Sequence, residues 1–348
     1  MRSFLWFIVV TSVVITIGCL DAIDLDVPQE EQGTIVIQGK LIKKNDEAQV
    51  DVRINNLFDF TPQSRLPVLV RTVELFETNG GVKMLERTDL NTYSITIDLD
   101  DPDFPIEYGN EYWIRVVTLR DQIFISQPNK LLKVPAAKEL RFEYQAENPN
   151  QEEDRVKFFL SGNIDTNVDE RKSRLRFSIK QAYRVTDCES KLCYVENLSD
   201  LNNIRTLDGN LTSDASFEDF EIHDVAITSL FAEGHYLSVF TESLSDEALR
   251  YWEEAATLVL RTGNMFEEPV GTQFSNITPE DTSTMDNVFG FFYATEIDTI
   301  RVYADSSLVG SPRPACPPLK PKEPNCLPCC DCLGLTNSSL TKPDFWIN

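Results

Sequence analysis

The sequence predicts a mainly β fold: two β-sandwich-like domains, the second with one packed α-helix, and a Cys/Pro-rich C-terminal tail. Three observations predict it. Short apolar-alternating runs recur at roughly ten-residue spacing from Thr34 onward, punctuated by Gly, Pro, Asn and Asp. A single segment, beginning at Ser245, carries clear helical spacing. From Ser311 the composition shifts, because this stretch holds eight of the 18 prolines and five of the eight cysteines.

The first domain is expected over residues 33–135. Its strands are Thr34 to Ile42, Ala48 to Ile54, Val68 to Phe76, Val82 to Leu85, Tyr93 to Ile97, Tyr112 to Val117 and Gln122 to Ser126. Asn79-Gly80-Gly81 separates two of these runs. Asn and Gly tolerate positive φ, so this is a hairpin turn. Such strands without a long helix read as an immunoglobulin-like sandwich.

The second domain is expected over residues 136–310. Leu140 to Tyr144, Arg155 to Leu160, Leu175 to Val185, Tyr236 to Phe240, Val288 to Ala294 and Thr299 to Ala304 are its strands. The helix is placed at about 245–262. Ser245 can cap it, and Asp246 and Glu247 suit the positive end of its dipole. Leu249, Trp252, Ala256 and Val259 fall on one face, which makes Trp252 a core residue. Residues 311–348 form the tail.

The N-terminus has a different character. Arg2 precedes an apolar run from Phe4 to Ile17, too short for a stable membrane span and suited to an export signal. The run ends in Thr16-Ile17-Gly18-Cys19, which resembles a lipobox. Residues 1–18 are then a cleaved signal, Cys19 the acylated N-terminus and residues 19–32 a tether. Several acyl chains on one cysteine suffice for stable anchoring. Asp21, Asp24 and Asp26 follow the cysteine and resemble the surface-export signals of Bacteroidota lipoproteins, which favours the cell surface over the periplasmic face.

Composition narrows the partners. Net charge is -24, and removing Arg2 with the signal leaves -25. Such a surface repels nucleic acid and anionic headgroups and favours cationic partners. Eight cysteines in an exported chain point to disulfides, and with Cys19 lipidated an odd number remains. Cys188 and Cys193 lie between two expected strands and are expected to bridge a hairpin end. Cys316, Cys326, Cys329, Cys330 and Cys332 form the densest cluster. A thiolate zinc site has compatible spacing there, but in an oxidising compartment disulfides that staple a Pro-rich tail are the expectation.

No recognised catalytic setting emerges. There are two histidines, His223 and His235, and no metalloprotease helix motif, nucleophile elbow, phosphate loop or dinucleotide fingerprint. His223 has Asp219, Glu221 and Asp224 as sequence neighbours. Asp165-x-Asn167-x-Asp169 opens like a calcium loop, but Glu170 stands where the turn glycine belongs and Arg176 where the closing carboxylate belongs. Asp98, Asp100, Asp101 and Asp103 read as a solvated turn. The expectation is a non-enzymatic chain without cofactor or metal, with Phe58, Phe60 and Trp346 as candidate exposed aromatic anchors.

The order of features resembles the Bacteroidota lipoproteins classed as domain of unknown function 4249. The matching pieces are the Thr34–Lys40 opening strand, Tyr112–Val117 with Gln122–Ser126, and Leu244-Ser-Asp-Glu-Ala-Leu-Arg-Tyr-Trp252. They continue with Phe266-Glu-Glu-Pro269, Phe274-Ser-Asn-Ile277, Val288-Phe-Gly-Phe-Phe292 and the ending Lys342-Pro-Asp-Phe-Trp346. The resemblance implies an outer-membrane lipoprotein acting beside a TonB-dependent barrel in nutrient uptake, and it transfers no catalytic residue. A surface adhesin or structural lipoprotein is the alternative, and a glycan or peptide hydrolase a third reading.

Overall fold

The computed structural model describes residues 34–56, 68–147, 153–198, 204–259, 273–281, 288–316 and 331–347. The signal, Cys19, the tether, Phe58, Phe60, Cys326, Cys329 and Cys330 lie outside them.

Nine strands build the first sandwich: β1 (Ile35–Lys43), β2 (Glu47–Asn56), β3 (Val70–Glu77), β4 (Val82–Met84), β5 (Glu86–Asp89), β6 (Thr92–Asp98), β7 (Glu111–Thr118), β8 (Ile123–Ser126) and β9 (Asn129–Lys130). One sheet runs β1-β2-β6-β5 and the other β8-β7-β3-β4. In chain order these are the A-B-E-D and G-F-C strands of an immunoglobulin sandwich, with β4 an added edge. Alternation drives the packing. Ile37, Leu41, Val50, Val52 and Ile54 from one sheet meet Val73, Leu75, Tyr112, Ile114, Val116 and Phe124 from the other in a single core. Tyr112 ties the corner before β7, because its hydroxyl donates to the Pro105 carbonyl at 2.9 Å and accepts from the Glu107 amide at 3.0 Å. The expected turn at Asn79-Gly80 is present. Gly80 has φ +97°, and the buried Glu77 carboxylate accepts from the Asn79 and Gly81 amides.

The second part contains β10 (Ala137–Gln145), β11 (Arg155–Asn163), β12 (Arg174–Thr186), β13 (Leu192–Leu198), β14 (Arg205–Asp208), β15 (Ser216–Ala226) and β16 (His235–Ser243). Helix α1 (Asp246–Val259), β17 (Ile277–Pro279), β18 (Val288–Ala304) and β19 (Ser338–Ser339) follow. A three-stranded sheet, β10-β11-β15, packs on β12, β16 and β18. Leu140, Phe158 and Leu160 meet Leu175, Phe177, Leu237 and Val239 between the layers.

The two parts share one sheet. The long sheet runs β19-β13-β12-β16-β18-β1-β2-β6-β5. The sequence suggests two short strands near 288–304, but the structure has one of 17 residues. Its first half pairs in parallel with β1, from Ile35↔Val288 to Lys43↔Glu296. Its second half pairs antiparallel with β16, from Glu242↔Ile297 to His235↔Ala304. β17 also returns to the first sandwich, pairing with β8. The division near residue 135 therefore separates the strands up to β9 from β10 onward, while β17 and half of β18 complete the first core.

Helix α1 starts as expected. The Ser245 hydroxyl accepts from the Ala248 amide at 3.2 Å, as an N-cap should. Its packed face is rotated from the expected one: Ala248, Leu249 and Tyr251 are buried, whereas Val259 is exposed. Aromatic contacts from β18 select that face, with Tyr251 stacked on Phe291 at 4.5 Å between ring centroids.

Gly290 makes the parallel joint possible. It has φ +136°, and a Cβ there would lie 1.8 Å from the Ile37 carbonyl oxygen. Gly290→Ala is expected to cost at least about 3 kcal/mol through backbone strain and steric displacement. Urea unfolding of the purified protein checks this, and a cost below about 1 kcal/mol would mean that β1 and β18 can separate at little expense.

Candidate functional site

The junction between the sandwiches carries a cluster of buried charge. Arg176 on β12 and Glu242 on β16 are cross-strand partners. Lys40 on β1 lies opposite Tyr293 on β18. The Glu242 carboxylate accepts from the Arg176 guanidinium at 3.0 Å and from the Tyr293 hydroxyl at 2.9 Å, with the Lys40 ammonium at 3.5 Å. Burial alone would raise the Glu242 carboxyl, but the Arg176 and Lys40 charges outweigh it and hold it below its usual range. Burial and the Glu242 charge push the Tyr293 phenol far up, so it stays a hydrogen-bond donor. The Arg176 guanidinium carbon lies 3.6 Å from the Trp252 ring centroid, so α1 covers the pair with a cation–π contact. Trp252 is half-buried as part of this lid, in agreement with its expected packing role.

A second polar network locks the place where β18 changes partners. The Glu296 carboxylate accepts from the Val134 amide at 2.7 Å and the Tyr108 hydroxyl at 2.5 Å. Its amide donates to Ser243 Oγ at 3.1 Å, and that hydroxyl donates to the Leu132 carbonyl at 2.6 Å. Asn129 donates to Ser245 Oγ and accepts from the Ala294 amide. Asn276, from the Phe-Ser-Asn-Ile segment, acts like a strand: its side-chain amide exchanges two bonds with the Phe292 backbone, at 2.7 and 2.9 Å. The motif residues therefore sit at one joint. Motifs in the sequence marked Ser245, Asn276 and Phe292, whereas Asn129, Ser243 and Glu296 carried no signal, because their contacts join segments 53 to 165 residues apart.

The cysteines are arranged differently from the expectation. Cys193 is bonded to Cys332 in the tail, with Cα atoms 5.9 Å apart, and Cys188 is a free thiol. The β12–β13 register explains why the hairpin pair is not formed. Val185 stands opposite Cys193, while Cys188 lies in the tight turn closed by the Asp187 amide on the Lys191 carbonyl. Cys316 is also disulfide-bonded. Cys193, Cys316 and Cys332 are buried in one cluster with Tyr183, Val185 and Val195, and Cys188 packs against it.

Trp346 is not an exposed anchor. It is 2% exposed, with Tyr194, Tyr236 and Tyr303 at 5.2, 4.9 and 6.3 Å between centroids. The tail brings it there: β19 lies along β13, and the Trp346 amide donates to the Pro343 carbonyl.

The remaining sequence candidates serve the fold. The Asp165–Asp169 segment is a hairpin turn, and Asp169 binds the buried Arg174 at 2.6 Å. Burial would raise the Asp169 carboxyl, but the Arg174 bond holds it low. Asp98 and Asp101 accept from amides of their own turns, and Asp101 pairs with Lys83 at 2.6 Å. Asp187, Asp331 and Cys332 present ligand-type atoms within 4.8 Å of one another. There the Lys191 ammonium already faces both carboxylates, at 3.6 and 2.9 Å, and the sulfur is in a disulfide. Asp219, Glu221 and Asp224 pair with Arg141, Lys157 and Arg155 on the outer ladder. His223, on the same strand, packs against Phe158 with ring centroids 6.2 Å apart. His235 is fully buried, stacked on Phe231 at 4.2 Å, and its Nε2 lies 3.1 Å from Gln181 Oε1. Burial and neighbouring His223 lower the His235 imidazole to about 3.

Comparison with known proteins places this architecture. Residues 21–301 match the family described as domain of unknown function (DUF4249). The chain belongs to that family. No curated protein matches. Among solved structures, this chain aligns with the native conformation of E. coli alpha-2-macroglobulin at 12% identity, with a TM-score of 0.21. That alignment covers 62% of this chain and 13% of the other, so this chain spans a small part of that protein's length. No helix among the described residues is long and apolar enough to cross a membrane.

Two stability outcomes follow from the buried charges. Arg176→Met leaves the buried Glu242 with Lys40 at 3.5 Å as its remaining counter-charge and is expected to cost roughly 3 kcal/mol, whereas Arg176→Met with Glu242→Gln recovers most of the loss. Additive losses in urea unfolding would show that the two residues do not act as a pair. For His235, the unfolded imidazole titrates near 6.5 and the folded one near 3. Between those values the unfolded chain binds a proton that the folded chain refuses. The contribution is full above about pH 6.5 and is lost as pH falls, by about 2–3 kcal/mol at pH 4.5. His235→Phe, which keeps a ring on Phe231, should flatten the urea midpoint between pH 6.5 and 4.5, and an unchanged slope would remove His235 as its source.

Proposed function

We propose that this DUF4249 chain is a non-catalytic outer-membrane lipoprotein, anchored through acylated Cys19 and displayed at the cell surface. It assists a TonB-dependent barrel in nutrient uptake, by binding the barrel or its cargo. The observation that carries the reading is the Thr16-Ile17-Gly18-Cys19 motif closing an apolar run ahead of a β body. The joint between the sandwiches supports it. Among the described residues, three carboxylates at or near it are engaged within the chain: Glu242 by Arg176, Asp169 by Arg174, Glu296 by backbone and Tyr108. A rigid, acidic body confined to a membrane plane meets any barrel in that plane at high effective concentration, so a modest interface is enough.

The test is a pull-down of tagged protein from gently solubilised outer membranes at low and high ionic strength, alongside Cys19→Ser. The expected result is a stoichiometric TonB-dependent barrel that is lost at high salt, and release of Cys19→Ser into the soluble fraction. Recovery of the lipoprotein alone at low salt sinks the barrel partnership, and a membrane-bound Cys19→Ser sinks the anchor.

A further inference from the structure

We propose that the end of the first sandwich where the chain enters from Cys19 is a lipid-docking face, seated on the headgroup layer through Leu69, Leu90 and Leu119. The inference rests on the anchored reading given above. Strand register puts the three leucines at one end. In the first sheet Ile35 lies opposite Asn56 just after the chain enters at Thr34, and the Ile54 amide donates to the Asn91 carbonyl at 2.9 Å. Leu90 therefore sits in the turn beside that entry. In the second sheet Val70 lies opposite Thr118, and the Leu119 amide donates to the Leu69 carbonyl at 2.8 Å. β18 aligns the two sheets. Its Phe292 amide donates to Asn276, beside Gln127, and its Ala294 amide to Asn129. Running back along β18 to Val288, opposite Ile35, thus runs back along β8 to Ile123 and the Leu119 turn.

Leu69, Leu90 and Leu119 are 57, 54 and 52% exposed. One exposed leucine is ordinary on a protein surface, but three at the turns of one end form an apolar rim. The charges around them nearly balance. Among the described residues, Arg71, Arg87 and Arg120 stand here against Asp89, Asp121, Glu280 and Asp281, and Arg71 is already paired with Asp121 at 2.7 Å. In a chain of net charge -24 this end is therefore close to neutral. Asp98, Asp100, Asp101 and Asp103 lie at the opposite end, after β6. Beside an anionic headgroup layer, that distribution turns the leucine-tipped end towards the lipid and the acids away from it.

The occupant follows from where the chain goes. Thr34 is 15 positions from Cys19, a contour of at most about 50 Å. An anchor at Cys19 therefore keeps the bilayer within reach of the end from which that chain leaves. Confinement removes most of the entropic cost of bringing lipid and rim together. Partial burial of three leucines at the headgroup boundary then suffices to favour one orientation, although it is too little to replace the acyl chains.

The test holds the protein on a membrane without the acyl chains, so its outcome is separate from the fate of Cys19. Residues 1–19 are replaced by a hexahistidine tag. The chain is loaded on phosphatidylethanolamine–phosphatidylglycerol vesicles that contain a nickel-chelating lipid and acyl chains brominated near the headgroup. Leu119→Trp reports on the docking end and Asp100→Trp on the opposite one. The expected result is that brominated lipid lowers the added emission of Leu119→Trp at least about twofold and leaves that of Asp100→Trp unchanged. Adding Leu69→Ser and Leu90→Ser to Leu119→Trp should abolish most of that quenching, with an unchanged urea midpoint showing that the fold is intact. No quenching of Leu119→Trp, equal quenching at both ends, or quenching indifferent to the two serines would each overturn the proposal. If instead the serine variant loses the barrel in the pull-down while lipid leaves Leu119→Trp unquenched, the end belongs to the barrel and the lipid proposal falls.

Discussion

One strand belongs to both sandwiches, and the rest of the structure is arranged around that constraint. β18 pairs in parallel with β1 over its first half and antiparallel with β16 over its second. A strand that changes partners midway leaves backbone groups in need of others, and buried polar groups are costly unless bonded. Asn276, Asn129 and Ser243, from three other segments, accept from the Phe292, Ala294 and Glu296 amides of β18, and the Glu296 carboxylate in turn accepts from the Val134 amide. Glu242 adds a charge that is stable in the interior because Arg176, Tyr293 and Lys40 surround it. Loosening either sandwich at this joint would strand these groups without partners, so the two halves are coupled in stability as well as in space.

This arrangement explains which parts of the fold were legible in the sequence. Strands with one face in a core and one in solvent alternate visibly, so β1, β2, β3 and β7 were readable from their residues. β15 was not, because in its sequence, Ser216-Phe-Glu-Asp-Phe-Glu-Ile-His-Asp-Val-Ala226, the Glu218-Asp219 pair breaks the alternation between Phe217 and Phe220, and two register shifts interrupt its pairing with β11. The 17-residue β18 was read as two strands because Glu296, Asp298 and neighbouring polar residues interrupt its apolar run. Those residues are the ones that manage the change of partner. The helix was legible from Ser245 and its spacing, yet its buried face turned towards Tyr251 because Phe291 and Tyr293 on β18 offer rings there.

The cysteines show the same limit more sharply. Proximity in sequence favours Cys188 with Cys193, but strand register sets which side chains meet, and it puts Val185 opposite Cys193. What brings Cys332 to that position is the tail, and its docking was hidden because Trp346 looks like a surface aromatic until the Tyr194, Tyr236 and Tyr303 rings are assembled around it. The tail covers the outer edge of β13, and an exposed edge is a template for unwanted pairing. Among the described residues, the tail is in this way held by a covalent link, a short strand and the buried Trp346 ring.

The charge pattern bears on recognition under the proposed reading. Lys83, Arg141, Arg155, Lys157, Arg174, Arg176 and Lys191 each face a carboxylate of their own chain. Acids exceed bases by 24 in the whole chain, so pairing leaves a large acidic surplus. Charges held in internal pairs contribute little to the field at a distance, because each is offset by its neighbour. The surplus is what a partner meets first, over a range set by a Debye length of about 8 Å at physiological salt. A coupled pair of sandwiches holds that surplus in a fixed pattern, and fixed charges lose less entropy on binding than mobile ones. The rigidity imposed by β18 and the acidity of the surface thus act together: the first keeps the binding geometry, and the second raises the rate of encounter with a basic surface.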